Sequence, residues 1–531
     1  MTMRKLLTLA AVLAAVVSFA AFCAAAEVVV TYGRTAVEPG DALDCHFGGG
    51  AASYQNYPLI YEQLCEYNIL THQIEGLLAE SFEASEDSRV WTFHIRKGIK
   101  FHDGTDLNAE AIRFNFERMI TGVINDAALV NYKNPTFEIP DEYTLIITFP
   151  EPFATLPTEL TYNTYGVMSP TFIKANATAS DPWAVQALRT RAVGTGPFEV
   201  VEYRPNESLT FKKFAGYWGG VPGMRSSPKY DKLIMRVIPD ATTRAFMLET
   251  GELDLAEGIP ADLREKLAKN PNLKVEYYPQ ANALSCLMFN SSRAPFDNLK
   301  VRQAITYAID YTAILQDIER GHQQPMHGSM PQGMLGADPE GVSRHRDLDL
   351  AKKLMAEAGY PNGFKTSLAF STQRWAGFDA IAEVIQANLS EIGIDLELKA
   401  LAFVAQKDLR TNNDHTLDLY TVSLGTGDPS AWADSCRHPS TDPVFDPYYA
   451  FTWESNPNPE LTTDLQDQAF LTADTVERAA MYHQLDLLVM EDFAVVPLFQ
   501  ISTPYVMRSN IYGYVYDHWT RGRLWDLEKR G

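Results

Sequence analysis

Alternation of apolar and polar residues predicts several strands in the first half of the chain. Residues 91–96 read W-T-F-H-I-R and residues 143–149 read Y-T-L-I-I-T-F, so one face of each segment is apolar. Residues 198–203 and 209–214 flank a polar turn, which is typical of a hairpin. The apolar run at 28–30 adds a buried strand near the start of this half. The first half is therefore predicted to be rich in strands.

The apolar pattern changes to a helical period beyond residue 295. Residues 301–309 and 354–358 place apolar side chains three and four positions apart, which puts them on one face of a helix. Apolar strands at 394–401 and 417–424 separate such helices. Because strands and helices alternate, we expect an α/β unit built on a mainly parallel sheet.

The first residues have the layout of a secretory signal peptide. Arg4 and Lys5 precede an uncharged stretch, and three alanines stand directly before Glu27. The stretch is dominated by alanine and lacks a basic flank at its end, which favours cleavage over a membrane anchor. Bulky Phe22 disfavours lipidation of Cys23. We therefore expect residues 1–26 to be a cleaved signal and the mature protein to be exported.

Length and charge restrict the class of protein further. A chain of 531 residues exceeds what one hydrophobic core usually serves, so two or three packed units are expected. Its net charge of −22 becomes −24 without the two basic residues of the signal. Such a surface repels nucleic acid and anionic lipid, and we expect no nucleic-acid partner.

Four cysteines remain after the expected cleavage: Cys45, Cys65, Cys286 and Cys436. An even number in an oxidising compartment is consistent with disulfides, and a Cys45–Cys65 bridge would close a short loop. Buried free thiols are the alternative.

The chain contains none of the short motifs that carry common enzyme chemistry. It has no G-x-S-x-G, no H-E-x-x-H, no C-x-x-C and no phosphate-binding glycine-lysine loop. Residues 321–330 read G-H-Q-Q-P-M-H-G-S-M, whose imidazoles and thioethers suit a soft or borderline metal ion, but the histidine spacing matches no closed structural site. We expect no catalysis, no cofactor and no resident metal.

The sequence W-T-F-H-I-R-K-G-I-K-F-H-D-G-T-D-L-N-A-E-A-I-R-F-N-F-E-R at 91–118 resembles the signature of the family 5 extracellular solute-binding proteins. This family includes the oligopeptide- and dipeptide-binding proteins. Further resembling segments are G-T-G-P-F at 194–198, Y-W-G-G at 217–220, I-P-D-A-T-T-R at 238–244, P-F-D-N-L-K-V-R-Q-A-I-T-Y-A-I-D at 295–310, A-K-K-L-M-A-E-A-G-Y at 351–360 and E-I-G-I-D-L-E-L at 391–398. Their order and spacing cover nearly the whole chain after residue 26.

The resemblance implies an α/β, two-lobed periplasmic binding protein-like fold with a hinge and an inserted strand-rich subdomain. Lobe I would be discontinuous, comprising residues 27–66, 193–282 and 496–531. Residues 67–192 would form the inserted subdomain and residues 283–495 would form lobe II. The hinge crossings would then lie near residues 280 and 495.

The implied function is that of the periplasmic substrate-binding component of an ABC importer. Such a protein captures di- or oligopeptides in the cleft between the lobes and delivers them to permease subunits in the inner membrane. We expect it to be a monomer. Because members of this family also bind nickel chelates, haem, opines, glutathione or sugars, a metal chelate or another small solute is the alternative ligand.

Two charged residues are candidates for contacts with the ends of a peptide. Asp428 lies in the segment L-G-T-G-D-P-S-A-W at 424–432, which resembles the family loop whose aspartate contacts the ligand amine. Arg374 precedes a predicted helix and could pair with a ligand carboxylate. The alternatives are a turn aspartate that caps local backbone and an arginine on the solvated surface.

Aromatic residues and one helix entry complete the candidate site. Trp432, Trp375 and Tyr54 are candidate cleft aromatics, or else residues of the ordinary core. Ser53 follows a glycine run, and at the entry of a helix predicted over 54–64 it could present backbone donors to a ligand, or form a plain turn. Some relatives carry an arginine two or three residues after the strand's aspartate, whereas Asp418 is followed here by Leu-Tyr-Thr.

Overall fold

The chain folds into strands and helices that alternate along most of its length. The computed structural model describes residues 27–35, 43–47, 53–71, 73–120, 134–341, 343–372, 375, 377–423, 429–436, 456–472, 474–516 and 522–531. The strands are β1 Val29–Arg34, β2 Cys65–Asn68, β3 Gln73–Gly76, β4 Ala79–Ala84, β5 Val90–Ile95, β6 Thr136–Asp141, β7 Thr144–Thr148, β8 Phe198–Arg204, β9 Ser208–Lys213, β10 Lys232–Val237, β11 Leu255–Ala256, β12 Leu273–Phe289, β13 Lys365–Phe370, β14 Asp395–Ala400, β15 Leu417–Ser423, β16 Val495–Arg508, β17 Ile511–Tyr512 and β18 Glu528–Lys529.

Helices of very different length connect these strands. The α-helices are α1 Ser53–Ile60, α2 Ala109–Arg118, α3 Leu156–Glu159, α4 Pro170–Asn176, α5 Val185–Leu188, α6 Ala241–Thr250, α7 Ala261–Leu267, α8 Leu299–Ala308, α9 Leu348–Glu357, α10 Phe378–Ser390, α11 Phe403–Thr411, α12 Pro429–Ser435, α13 Pro459–Leu471 and α14 Thr475–Glu491. Short 3-10 helices cover Cys45–Phe47, Asn163–Tyr165 and Leu524–Asp526, and a π-helix covers Ala313–Ile318. Within the described residues, no helix has both the length and the apolar character that crossing a bilayer requires.

The apolar patterns that predict strands and helices are confirmed. The alternating segment at 91–96 is β5, whose apolar side chains are buried. The segments 198–203 and 209–214 are β8 and β9, and they pair antiparallel as a hairpin. Asn108 caps α2 by accepting a hydrogen bond from the Ala111 backbone N–H at 2.9 Å. Local periodicity therefore predicts these elements well.

The helix predicted over 54–64 is shorter than its apolar run. It ends at Ile60 and contains Pro58, which cannot donate a backbone hydrogen bond within a helix. The chain then turns into β2, which pairs antiparallel with β3. Residues 61–64 lie between the helix and β2, and the carbonyl groups of Glu62, Gln63 and Leu64 accept hydrogen bonds from backbone N–H groups outside the helix.

One sheet of ten strands runs through both halves of the chain. Its order is β14-β13-β15-β12-β16-β11-β1-β10-β9-β8. In the second half β13 pairs in parallel with β14 and β15, as expected, but β12 pairs antiparallel with both β15 and β16. The expectation of a mainly parallel sheet is therefore wrong for this half, because β12 enters it from the first half, lies between β15 and β16 and is antiparallel to both.

Strands β12 and β16 are paired along most of their length and cross from one half of the sheet to the other. Their register is continuous from Leu273 opposite Arg508 to Pro279 opposite Ser502. It then shifts, and pairing resumes with Leu284 opposite Gln500. We call the irregular region between these pairs, residues 279–284 and 500–502, the crossing. Bulged antiparallel strands bend locally, so the crossing divides the sheet into two parts.

Separate apolar cores cover the two parts of the sheet. Helices α6 and α7 pack on one face of the first part, and α1 with the carboxyl-terminal segment packs on the other. The second part is covered by α8, α9 and α10 on one face and by α12, α13 and α14 on the other. A smaller sheet of order β4-β5-β7-β6 packs against α2 and has its own core. The apolar side chains are thus grouped as the layers of several packed units.

A buried ion pair joins α2 to the segment before α1. Arg118 donates hydrogen bonds to both carboxylate oxygens of Asp44, at 3.0 and 2.5 Å, and both side chains are fully buried. Arg118 also lies 2.9 Å from Nδ1 of His46, whose Nε2 lies 3.1 Å from the Gly166 carbonyl oxygen. Burial and the Arg118 charge lower the pKa of His46 well below its ordinary value, so the ring is neutral and accepts from Arg118.

We predict that Asp44→Asn lowers the free energy of unfolding by about 3–5 kcal/mol, because it leaves the Arg118 charge buried without its carboxylate. Urea denaturation of the full chain measures the effect. Glu202→Gln is the control, since it breaks the ion pair with Arg204, which is largely exposed, and should cost less than about 1 kcal/mol. Equal effects of the two substitutions would contradict the prediction.

The four cysteines after residue 26 are buried free thiols. Cys45 Sγ donates to the Gly166 carbonyl oxygen at 3.3 Å, and Cys436 Sγ donates to the Trp432 carbonyl oxygen at 3.5 Å. Burial raises the pKa of Cys45, Cys65 and Cys286. Of the two possibilities, a Cys45–Cys65 bridge and buried free thiols, the structure shows the second: each sulfur occupies a buried site as a small hydrophobic group.

Thiol titration distinguishes the two alternatives. For protein that begins at Glu27, we predict four reactive thiols in denaturant without reductant and very slow reaction in the folded state, since buried thiols with a raised pKa supply little thiolate. Detection of only two thiols in denaturant would show that a bridge forms.

Candidate functional site

The parallel strands of the two parts of the main sheet point toward each other. In the first part β1, β10 and β11 are parallel, and β11 runs antiparallel to β16 toward the crossing. In the second part β13 and β15 are parallel, and β15 runs antiparallel to β12, also toward the crossing. Ligands of open α/β sheets bind outside the carboxyl ends of the strands. The strand ends on both sides of the crossing therefore define the candidate site.

An ion pair stands at the strand ends of the first part. Arg34, the last residue of β1, is nearly fully buried, and its Nε lies 3.4 Å from Oε1 of Glu257, which follows β11 directly. Arg34 also donates to Asn56 Oδ1 at 3.3 Å. The Tyr32 hydroxyl donates to Oε2 of Glu257 at 2.7 Å. Burial raises the pKa of Tyr32 well above its ordinary value, so Tyr32 remains a donor and Glu257 remains its acceptor.

Tyrosine rings connect this ion pair to the crossing. Gln55 Nε2 donates to the Tyr505 hydroxyl at 2.9 Å, and its Oε1 lies 3.1 Å from the Tyr32 hydroxyl. The Tyr505 ring centroid lies 4.7 Å from that of Tyr514 and 6.0 Å from that of Tyr278, on β12. Aromatic rings supply a large and rigid contact surface. The first part thus presents a polar pair framed by tyrosines. The sequence analysis missed this pair, because Arg34 lies four residues beyond the predicted strand at 28–30.

Trp375 lies beyond the end of β13 in the second part. Its Nε1–H donates to Oε1 of Glu319 at 2.6 Å, and its ring centroid lies 5.9 Å from that of Phe499, on β16 next to the crossing. Trp375 is half-buried and packs against the edge of the apolar core of the second part. Burial raises the pKa of Glu319, although the hydrogen bonds from Trp375 and Gln323 and the Arg264 charge lower it.

Several predicted site residues lie wholly or partly outside the described residues. Asp428 and Arg374 are outside the described ranges. The described strands that precede them, β15 and β13, are neighbours in parallel register, with Leu419 opposite Phe370. Ser53 and Tyr54 form the first turn of α1, and only their backbone is described.

Trp432 has the surroundings of a core residue. It lies in α12, is fully buried and belongs to a cluster with Tyr420, Leu485 and four methionines. Two of these methionines, Met326 and Met330, come from the loop that suggested a metal site in the sequence. The structure therefore directs these side chains into the apolar layer beneath α12 and α14.

The histidines of the same loop are also engaged elsewhere. The His322 ring stacks on that of Tyr277, with centroids 3.9 Å apart, and His327 Nδ1 lies 2.8 Å from the Ser343 hydroxyl. Within the part of the chain that the structure describes, no three His, Cys, Asp or Glu side chains are grouped as a metal site.

Comparison with known proteins identifies the family. The model of the bacterial extracellular solute-binding proteins, family 5, matches residues 73–443. The chain belongs to this family of solute-binding proteins. The sequence-based resemblance and the expected mixed α/β fold are both confirmed.

Individual known proteins resemble the chain over nearly its full length. It is 27% identical over 472 residues to the probable D,D-dipeptide-binding periplasmic protein DdpA of Escherichia coli, covering 88% of this chain and 86% of DdpA. It is 30% identical over 484 residues to the glutathione-binding protein GsiB of Shigella dysenteriae, covering 90% of this chain and 89% of GsiB. The structure of DppA from Helicobacter pylori in complex with the peptide STSA matches with a TM-score of 0.75 and 26% identity, covering 95% of this chain and 98% of DppA.

Asp418 of this family 5 chain is a buried partner of an arginine from the preceding helix. Its Oδ2 lies 3.5 Å from Nε of Arg410, in α11, and its Oδ1 accepts from Gln406 at 2.5 Å. The Arg410 guanidinium lies 4.3 Å from the centroid of the Tyr420 ring. The arginine that pairs with this aspartate thus precedes it by eight residues, instead of following it by two or three. Burial raises the pKa of Asp418 to about 6, although Arg410 and Gln406 lower it.

We predict that Asp418 makes unfolding depend on pH between about 4 and 6. A carboxyl group whose pKa is raised on folding contributes stability below its unfolded pKa, and this contribution is lost as pH rises through the folded value. The free energy of unfolding of the parent, relative to that of Asp418→Asn, should fall by about 3 kcal/mol from pH 3.5 to 6.5. Urea denaturation at a series of pH values measures this difference, and a constant difference would contradict the raised pKa.

Proposed function

We propose that this protein is the periplasmic substrate-binding component of an ABC importer and that it encloses a peptide-like ligand at the crossing. The observation that carries the proposal is the convergence of the parallel strands from both parts of the sheet on residues 279–284 and 500–502. The strand ends of the two parts would then border a common space from two sides. A ligand there contacts both parts at once, and such contacts favour a closed arrangement.

We propose that the two parts of the sheet are the cores of two lobes and that the crossing is their hinge. The separate apolar cores on each part support this division. Lobe I comprises residues 27–66, 193–282 and the carboxyl-terminal segment, lobe II begins at residue 283, and residues 67–192 are inserted in lobe I. The register break supports a second hinge position at residues 500–502 in place of 495.

We propose a short peptide as the ligand class. DdpA is named for D,D-dipeptides, GsiB for glutathione, and the DppA structure contains the peptide STSA. These ligands are short and carry amide groups between charged ends. A receptor for them needs one acidic and one basic contact, together with room for side chains.

Asp428 and Arg374 are the proposed contacts for the two charged ends. They follow β15 and β13, which are adjacent parallel strands that run toward the crossing. Asp428 would bind the ligand amine and Arg374 the ligand carboxylate. We propose further that Trp375 and Tyr54 provide aromatic walls, that the backbone at Ser53 provides donors, and that Trp432 supports the Asp428 loop from the core.

Binding without catalysis completes the proposal. The proposed site uses charged side chains to bind the charged ends of a ligand. The side chains described at the strand ends of β1 and β11 form an ion pair and hydrogen bonds with one another, which suits a surface that binds a ligand without reacting with it. The ligand would pass unchanged to permease subunits of the inner membrane, and the receptor would work as a monomer. Mass spectrometry of a peptide recovered after incubation tests whether the ligand stays intact, since a hydrolase would return fragments.

The ligand class is tested first by native mass spectrometry of the purified protein and then by calorimetry with Ser-Thr-Ser-Ala, glutathione and D-Ala-D-Ala. Binding of a nickel chelate in place of all three peptides would favour the alternative function. Absence of peptide binding by the parent protein would overturn the peptide proposal.

We predict that Asp428→Asn weakens binding of Ser-Thr-Ser-Ala about 10- to 150-fold. The substitution removes one charge-assisted hydrogen bond to the ligand ammonium group, worth roughly 1.5–3 kcal/mol. Calorimetry measures the dissociation constants. The N-acetylated peptide is the control, because it has no ammonium group and its weaker binding should be unchanged by the substitution. Unchanged affinity for the free-amine peptide would assign Asp428 to the turn and place the anchor elsewhere.

A further inference from the structure

The segment Glu319 to Gln324 touches the candidate site, the crossing and the first part of the sheet. We call these six residues the strap. At one end Glu319 is nearly fully buried, and its two carboxylate oxygens accept from different donors. Oε1 accepts from Trp375 Nε1 at 2.6 Å, and Oε2 accepts from Gln323 Nε2 at 3.2 Å. The carboxylate thus joins the residue beyond β13 to the strap itself.

The strap continues this connection into the crossing. Gln323 Oε1 accepts from the backbone N–H of Ser502 at 2.7 Å. Gln324 and Gln500 exchange two backbone hydrogen bonds, at 3.1 and 2.8 Å. The Gln500 side chain in turn donates to the Gln280 carbonyl oxygen at 2.9 Å. An unbroken chain of hydrogen bonds therefore leads from Trp375 through Glu319 and Gln323 to the irregular backbone of β16.

The outer residues of the strap contact the first part of the sheet. The His322 ring stacks on Tyr277 of β12 at an interplanar angle of 10°. Arg320 forms an ion pair with Glu265, in α7. Tyr277 also accepts a hydrogen bond from Arg264 at 3.2 Å. The strap is thus a non-covalent connection between the two parts, in addition to β12 and β16.

We propose that Glu319 is a positioning residue that couples the ligand-contacting residues beyond β13 to the hinge. It holds Trp375, which directly follows Arg374, in a fixed relation to Ser502. A ligand that displaces the residues beyond β13 then changes the hydrogen bonds at the crossing. The coupling deepens the proposed function, and its ligand-binding consequence rests on the proposed contact between Arg374 and a ligand carboxylate.

The chemistry of the relay requires a carboxylate at position 319. Both oxygens accept from N–H groups, and a carboxylate has two acceptor atoms whereas an amide has one acceptor and one donor. In Glu319→Gln the amide nitrogen would face the indole N–H of Trp375 or the amide of Gln323. One of the two hydrogen bonds is then lost, and the charge that strengthens the other is removed.

Hydrogen exchange of the full chain without ligand tests the relay itself. We expect Glu319→Gln to increase amide exchange about tenfold in peptides that contain Ser502 or Gln324, because loss of a charge-assisted hydrogen bond favours local opening. Glu265→Gln is the matched control: it removes a carboxylate that pairs with the strap where both partners are half-exposed. In this control, amide exchange in the peptides that contain Ser502 or Gln324 should remain within about twofold of the parent.

Trp375→Phe interrupts the relay from its other end and serves also if Glu319→Gln does not fold. It removes the indole donor, and the same peptides should exchange faster. Subtracting the emission of Trp375→Phe from that of the parent isolates the Trp375 signal. The same subtraction, made between Glu319→Gln and the double variant Glu319→Gln/Trp375→Phe, should give a different Trp375 signal. Unchanged exchange at Ser502 in both variants, with unchanged Trp375 emission, would overturn the proposal.

Binding of Ser-Thr-Ser-Ala and of its carboxyl-terminal amide tests the consequence for the ligand. Glu319→Gln should reduce the preference for the free carboxylate about tenfold or more, whereas general damage to the fold would weaken both peptides alike. Equal weakening of both would overturn the positioning role. If the parent binds neither peptide, the proposed function fails, and hydrogen exchange still decides the relay.

Discussion

The antiparallel pairing of β12 with β16 is the constraint on which the rest of the structure depends. The two strands are the only ones of the described main sheet that extend through both of its parts, and their register breaks between Pro279 and Leu284. Pairing with β12 and β16 fixes the direction of the strands on either side. Because β11 and β15 are antiparallel to different members of the pair, the parallel strands of the two parts must end facing each other. The place of the site thus follows from backbone hydrogen bonding.

A local break in pairing also determines which groups stabilise the proposed hinge. Backbone groups that leave a ladder need other partners, because an unpaired buried amide costs about as much as a lost hydrogen bond. At the crossing these partners are side-chain amides: Gln323 Oε1 accepts from the Ser502 N–H, and Gln500 Nε2 donates to the carbonyl oxygens of Gln280 and Gln332. Neutral amides both donate and accept, so they satisfy irregular backbone without adding a buried charge. The strap is therefore both a structural support of the break and the route by which it contacts Trp375.

Apolar periodicity predicted elements whose burial follows a local rule, and it failed where partners are distant in sequence. β5, α2 and the β8–β9 hairpin are confirmed because their buried faces repeat every two or every three to four residues. Nothing local indicates that β12 pairs with a strand more than 200 residues later, so the mixed character of the second half was not predictable. The same limit applies to the site. Arg34 and Glu257 are far apart in sequence, and the ion pair between them exists only because β1 and β11 are neighbours.

The buried ion pairs of this protein differ in their surroundings. This difference distinguishes the pairs that stabilise the fold from the pair that stands at the candidate site. Arg118 and Arg410 are paired with Asp44 and Asp418 inside the fold, where neither carboxylate can meet a ligand. Glu257 is also paired, but it stands at the end of a strand that points to the crossing and remains partly exposed. A ligand charge entering there meets a neutral pair and tyrosine hydroxyls instead of a net charge. On the proposed division, lobe I would supply shape and hydrogen bonds, and the proposed contacts that follow β13 and β15 would discriminate between the ends of the ligand.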